Sequence, residues 1–117
     1  MATADRLLSL AGEAVADDVV DAWCDAEAYR LYTWNAATRL LDGAELGASS
    51  SLMKVFWSEL DLRTHEIALR LLDDAAPVNS AWLDGFLFAL SGPIYAGTNE
   101  IQRDLIAERV LHLPRSR

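Results

Sequence analysis

Residues 49–73 read SSSLMKVFWSELDLRTHEIALRLLD, and this stretch decides the fold class. Met53, Phe56, Leu60, Ile67 and Leu71 recur at helical spacing, with Trp57 and Leu72 widening the apolar stripe. No alternating apolar–polar run of a strand interrupts it. Any of Ser49, Ser50 and Ser51 can cap the start by accepting a first-turn N–H. Ala75-Ala76-Pro77-Val78 breaks the pattern at the far end. The spacing predicts one long helix over 49–73.

Working outward, residues 18–41 predict a second long helix. Asp17 is its candidate N-cap, and Asp18, Asp21 and Asp25 favour the positive end of the helix dipole. Val20, Trp23, Leu31, Trp34 and Leu41 fall near one stripe, with Glu27 the exception, and Gly43 is a natural stop. A shorter helix over about 4–14 carries Leu7, Leu8 and Leu10 and reads as the end of a longer one. Downstream, a helix starting at Asn79 or Ser80 carries Trp82, Leu83, Phe86, Leu87 and Leu90 and ends at Gly92-Pro93. The last helix starts at Thr98 as N-cap, has Glu100 in its first turn and Arg109 in its last, and should turn Ile101, Leu105 and Ile106 inward. Short connections between these helices predict an all-α, antiparallel helix bundle, with residues 1–117 forming a single domain.

Composition agrees and excludes several function classes. The 117 residues are 52% hydrophobic and 24% charged, too apolar for a disordered chain. The longest charge-free stretch, which holds Gly85 to Thr98 and ends before Glu100, falls short of the roughly 20 apolar residues that span a bilayer. The opening MATADRLLSLAG carries Asp5 and lacks the continuous apolar core of a secretory signal. Eighteen acids against ten bases give a net charge of −8, and the acids cluster at Asp17, Asp18, Asp21, Asp25 and Glu27. That balance argues against nucleic acid and reads as a solvated helix face. The single cysteine, Cys24, excludes an internal disulfide and suits a reducing, cytoplasmic setting.

Few residues offer chemistry. His65 and His112 lie on different segments and lack a third partner for a metal or catalytic site, so structural or surface roles are expected. Acids beside Cys24 disfavour a thiolate. Lys54 reads as a solvated side chain. One segment stands out: Gly92-Pro93-Ile94-Tyr95-Ala96-Gly97-Thr98-Asn99-Glu100. A glycine-bearing loop leads into a helix whose first turn offers the Thr98 hydroxyl and free backbone N–H groups, and Gly97 permits close approach to the backbone.

The run YAGTNEIQRDLIAERVLHLPR, Tyr95 to Arg115, resembles the C-terminal signature of the acyl-CoA dehydrogenase family, Y-x-G-T-[SN]-E-I-Q-R-x-I-I-A-E-R-V-L-G-L-P-R. Upstream, ADDVVDAW (16–23) and SSSLMKVFWSEL (49–60) resemble two further family segments, so the likeness covers about 4–115. Its members are flavoproteins that α,β-desaturate acyl-CoA thioesters, built from an N-terminal helical domain, a β-barrel and a C-terminal bundle. The resemblance therefore implies the last part of that bundle, with its first helix truncated.

It further implies that Tyr95 and Gly97 line the acyl-CoA thioester, and that Thr98, Asn99 and Glu100 meet FAD. In one branch a catalytic glutamate stands where this chain has Ala96, which cannot accept a proton, so no catalytic residue is assigned here. The family's Q-x-x-G-G-x-G stretch, which reaches a neighbouring subunit's flavin, is replaced by Leu71-Leu72-Asp73-Asp74-Ala75-Ala76-Pro77, and His112 replaces a glycine. The expected function is a flavin- and subunit-contacting domain of an acyl-CoA dehydrogenase, inactive alone and part of a homo- or hetero-oligomer. The alternative is a non-catalytic helical interaction module or a degenerate partner subunit.

Overall fold

Five helices, α1 (Ala2–Ala11), α2 (Asp17–Leu41), α3 (Ser49–Leu72), α4 (Ala81–Ala89) and α5 (Asn99–Arg109), make up the regular structure of the computed structural model. It describes residues 2–13, 15–73 and 80–115, and no strand occurs among them. The all-α bundle expected from the spacing is what forms. The first helix starts earlier and ends earlier than expected, with Gly12 following it at a φ of 61°. Ala14, the break at 75–78 and the alternative cap Asn79 lie outside the described residues.

The spine of the fold is α3, which packs against all four other helices; α4 and α5 lie mainly on α3, and Trp82 carries α4 to Arg6 of α1. Two ion pairs fix the α2–α3 register: Asp18 with Arg70, and Asp25 with Arg63. Moving forward along α2 moves backward along α3, so the two helices are antiparallel. Further along the same seam, Tyr29 stacks on Phe56 with ring centroids 6.0 Å apart. Part of the acidic face read as solvated thus pairs across to α3. Both pairs are half exposed, so they register the helices more than they stabilise them.

The core sits at one end of the bundle. Leu7, Val19, Ala22, Ile67, Ala68 and Trp82 form it, with Leu8, Leu10, Ala11, Leu69 and Leu72 packed around them. Burying a leucine such as Leu7 contributes about 2 kcal/mol. A helix of 25 residues is about 37 Å long and one of 10 about 15 Å, so α1 covers less than half of α2. The molecule is accordingly elongated, 48 × 34 × 23 Å.

Packing corrects the expected stripes. On α2 the buried residues are Val19, Ala22, Ala26 and Ala36. The first three are the expected Val20–Trp23–Glu27 stripe displaced by one residue, a rotation of about 100°. Val20, Leu31, Trp34 and Leu41 are exposed, Trp34 by 60%, with Arg30 stacked over its ring. On α3 only Ile67 of the expected stripe is buried, and Ser51, Ser58, Thr64, His65 and Ala68 join it. A helix with neighbours on every side meets them through small or hydrogen-bonded side chains, because these let backbones approach. Thr64 Oγ1 donates to Leu60 O at 2.7 Å, and no buried side-chain polar atom among the described residues lacks a partner.

Caps divide in the same way. Ser80 caps α4 as expected, accepting from Leu83 N at 3.1 Å. Asp17 is the first residue of α2 and Ala16 its cap, without a side-chain bond. None of the three serines caps α3: Ala48 holds that position, Ser50 Oγ donates back to Gly47 O, and Ser51 is buried. Past the end of α5, His112 has a φ of 53°, the conformation that glycine adopts without strain.

Where α4 crosses α3, Gly85 meets His65. The ring is buried, with its Nδ1 2.8 Å from Asp61 O and its centroid 5.5 Å from that of Trp82, edge to face. A Cβ at Gly85 would stand 2.3 Å from His65 Nε2. Gly85→Ala should therefore lose stability, even though alanine gains about 1 kcal/mol in helix propensity. Overpacking costs ~1–3 kcal/mol, so the expected net loss is about 1 kcal/mol. Urea denaturation measures it, and a stabilised variant would show that the crossing is looser than described.

Candidate functional site

The segment singled out in the sequence spans the turn from α4 to α5. After α4, Ile94 N and Tyr95 N both donate to Ser91 O at 3.0 Å. Two successive left-handed residues then reverse the chain, Ala96 at a φ of 55° and Gly97 at 87°. For alanine this conformation costs roughly 1–2 kcal/mol. A bond from Gln102 Nε2 to Ala96 O, 3.1 Å, ties that residue back to α5. A Cβ at Gly97 would stand 2.7 Å from Gln102 Nε2, so the glutamine side chain would have to leave its place.

Thr98 caps α5 as expected, its hydroxyl accepting from Ile101 N at 3.4 Å. The first turn of α5 is less open than the sequence suggested. Asn99 N donates to Pro93 O at 2.8 Å, Ile101 N to the Thr98 hydroxyl, and Gln102 N to Thr98 O at 3.0 Å. Glu100 is fully exposed; its own backbone N–H, then the Thr98 side chain, hold its carboxyl below the usual carboxylate range, aided by Arg103 and Lys54. The N–H groups of Gly97 and Thr98 make no hydrogen bond of normal geometry among the described residues. The open donors thus lie in the loop just before the helix.

The expected site residues separate into two groups. Tyr95, Gly97, Thr98 and Glu100 lie on the surface or partly open to it, Tyr95 with its ring against Trp57 at 6.1 Å. Asn99 is buried, and its side chain is bonded into the fold. Lys54, read as solvated, reaches Asn99 Oδ1 at 2.6 Å. Sequence spacing gave no signal for that contact, which joins residues far apart in the chain. Of the residues expected to turn inward on α5, Ile101 is 54% exposed, whereas Leu105 and Ile106 are partly buried.

Between them, α2, α3 and α5 leave an apolar groove of about 410 Å³ lined by Tyr29, Tyr32, Leu52, Phe56 and Ile106, with Glu59 as its one acidic residue. Partial burial pushes the Tyr29 phenol up. Cys24 is exposed, and no group of three His, Cys, Asp or Glu side chains suited to a metal occurs among the described residues. No helix among them is long and apolar enough to cross a membrane.

Two predictions follow from this geometry. Gly97→Ala should release Gln102 from Ala96 O and perturb the amide signals of residues 94–102, leaving those of α1 and α2 in place. For Glu100, a depressed folded pKa means that its ionised form stabilises the protein above the usual glutamate pKa. That contribution is lost as pH falls through the depressed value. Carboxyl NMR titration should give Glu100 a midpoint below about 4.3, moving upward in Thr98→Ala. A midpoint at or above that value in the unsubstituted chain would contradict the cap geometry.

Comparison with known proteins places this geometry. The profile of the acyl-CoA dehydrogenase C-terminal domain matches residues 5–111. The acyl-CoA dehydrogenase IpdE1 of Mycolicibacterium smegmatis is 32% identical over 106 residues, which is 86% of this chain and 26% of that protein. IpdE1 of Mycobacterium tuberculosis is 32% identical over 99 residues, covering 80% of this chain and 25% of its own length. The chain thus spans about a quarter of the curated relatives it matches. No solved structure matches it significantly. The chain belongs to the acyl-CoA dehydrogenase family, and its five helices correspond to that family's C-terminal domain.

Proposed function

We propose that this chain serves as the cofactor- and substrate-facing C-terminal domain of a flavin-dependent acyl-CoA dehydrogenase, with FAD as cofactor and an acyl-CoA as substrate. The observation that carries the reading is the Ala96–Gly97 reversal. It leaves Tyr95, two open N–H groups and the Thr98 hydroxyl on one surface loop, within the stretch that matches the family. The donor set fits part of a flavin dinucleotide. The Gly97 and Thr98 N–H groups suit phosphate or carbonyl oxygens, and the Glu100 carboxylate suits a hydroxyl or ring N–H. A phosphate directly over Glu100 would be repelled, so the anionic part of the cofactor belongs nearer Gly97. Tyr95 and Gly97 would flank the thioester.

When bound, the flavin accepts the hydride that leaves the acyl β-carbon. Ala96 offers no base for the α-proton, and this reading takes that carboxylate from elsewhere in the assembly. The exposed apolar side chains Leu31, Trp34, Leu87, Phe88 and Ile94 favour a chain that works against other protein, in a homo- or hetero-oligomer. The same surface supports the second reading, a non-catalytic helical module or degenerate partner subunit.

The purified chain alone should be colourless and should reduce no electron acceptor when given FAD and a panel of acyl-CoAs. One loop and one helix start supply too few contacts to offset the cost of immobilising a dinucleotide. At millimolar FAD, NMR shift changes should concentrate at Tyr95, Gly97, Thr98 and Glu100. Thr98→Ala and Glu100→Ala should diminish them, and Glu13→Ala should not. Shift changes centred elsewhere, or equal in all three variants, would overturn the assignment of the loop.

A further inference from the structure

The loop from Gly92 to Asn99 has both of its ends on one residue of α3. At its start, Gly92 is buried against Ser58, where a Cβ would stand 3.3 Å from Ser58 Cβ and 3.0 Å from Ala89 O. At its end, Asn99 Nδ2 donates to Ser58 Oγ at 3.1 Å and to Glu59 Oε1 at 3.2 Å. Asn99 Oδ1 accepts from Lys54 Nζ at 2.6 Å and lies 3.2 Å from Ser58 Oγ. The Ser58 hydroxyl also lies 3.1 Å from Val55 O. Ser58 is fully buried and Asn99 is 3% exposed, so water cannot substitute freely for these bonds.

The pattern demands an amide. One side of the Asn99 group faces a cation, Lys54, and must accept. The other faces a carboxylate, Glu59, and must donate. These charges also fix which way the amide points. Arg103 pairs with Glu59 from α5, and Glu100 on the same helix start lies within reach of the Lys54 and Arg103 charges. Between its two seats the loop has only the Tyr95–Trp57 contact, the Gln102–Ala96 bond and its own turns.

We propose that Asn99, Ser58 and Lys54 are positioning residues for the ligand-facing loop. Asn99 acts through α3 and does not itself touch cofactor: locked onto Ser58 and Lys54, it sets where Tyr95, Gly97 and Thr98 present their groups. This rests on the reading of that loop as the ligand face, and it departs from the expectation that Asn99 contacts FAD.

The test is amide hydrogen exchange on the full chain, read residue by residue by NMR, which needs no ligand and so stands apart from the flavin titration. In Ser58→Ala and Asn99→Ala, exchange at Tyr95, Asn99, Ile101 and Gln102 should rise about tenfold, with the amides around Leu7, Val19 and Ile67 unchanged. Asn99→Asp should do the same, because the new carboxylate faces Glu59 and has no hydrogen to give. Adding Glu59→Gln to Asn99→Asp should restore protection by exchanging donor and acceptor, a rescue that a mere packing role would not produce. The pair also decides the matter if Ser58→Ala fails to fold. Unchanged exchange at those four amides, a rise spread evenly over all helices, or absence of rescue would each overturn the proposal.

Discussion

The buried hydrogen bonds between Asn99 and Ser58 hold the start of α5, and the loop that leads into it, to α3. α4 and α5 pack mainly on α3, and both ends of the loop between them meet α3 at Ser58. A neutral hydrogen bond in water contributes little to stability. Here burial, the adjacent ammonium and the adjacent carboxylate make leaving it unformed costly. The result is a loop with two left-handed residues, of which Ala96 is strained, held at both ends. Strain of that kind persists only where the surroundings over-determine the backbone.

The helices that carry this loop meet α3 through absences as much as through contacts. Gly85 makes room for His65, and Gly92 makes room for Ser58. A side chain at Gly85 would collide with the His65 ring, and one at Gly92 would crowd Ser58 and Ala89 O. The α2–α3 seam instead uses Asp18–Arg70, Asp25–Arg63 and the Tyr29–Phe56 stack, which set register along a long antiparallel pair. Burial is dense where α1 lies and sparse beyond it, so Trp34, Leu31 and Leu41 stand in solvent on the far part of α2. A domain of this shape leaves apolar surface on α2 and the middle of the Gly92–Asn99 loop exposed.

Helix number, order and approximate bounds were legible in the sequence, because prolines, glycines and 3–4 spacing act locally. The Thr98 and Ser80 caps were legible for the same reason. The buried faces were not. Reading α2 by its largest apolar residues selected Val20 and Trp23, whereas close packing selected Val19 and Ala22, one residue away. Hydrophobic size weighs transfer from water; helix contact weighs how near two backbones can come. The role of Lys54 was invisible for a different reason. Its partner lies 45 residues away, and only the fold brings an ammonium to an asparagine oxygen. The open N–H groups were expected in the first turn of α5, but the turn bonds satisfy that helix start, leaving Gly97 and Thr98 as the donors.

The central claim is that α3 holds both ends of the Gly92–Asn99 loop at Ser58. Isotope-edited NOE spectroscopy on the intact chain tests it directly. The account predicts cross-peaks from both Asn99 side-chain amide protons to the Ser58 β-protons, and from Gly92 α-protons to the same β-protons. Asn99 side-chain amide protons that exchange with water and show no contact to Ser58 would contradict it.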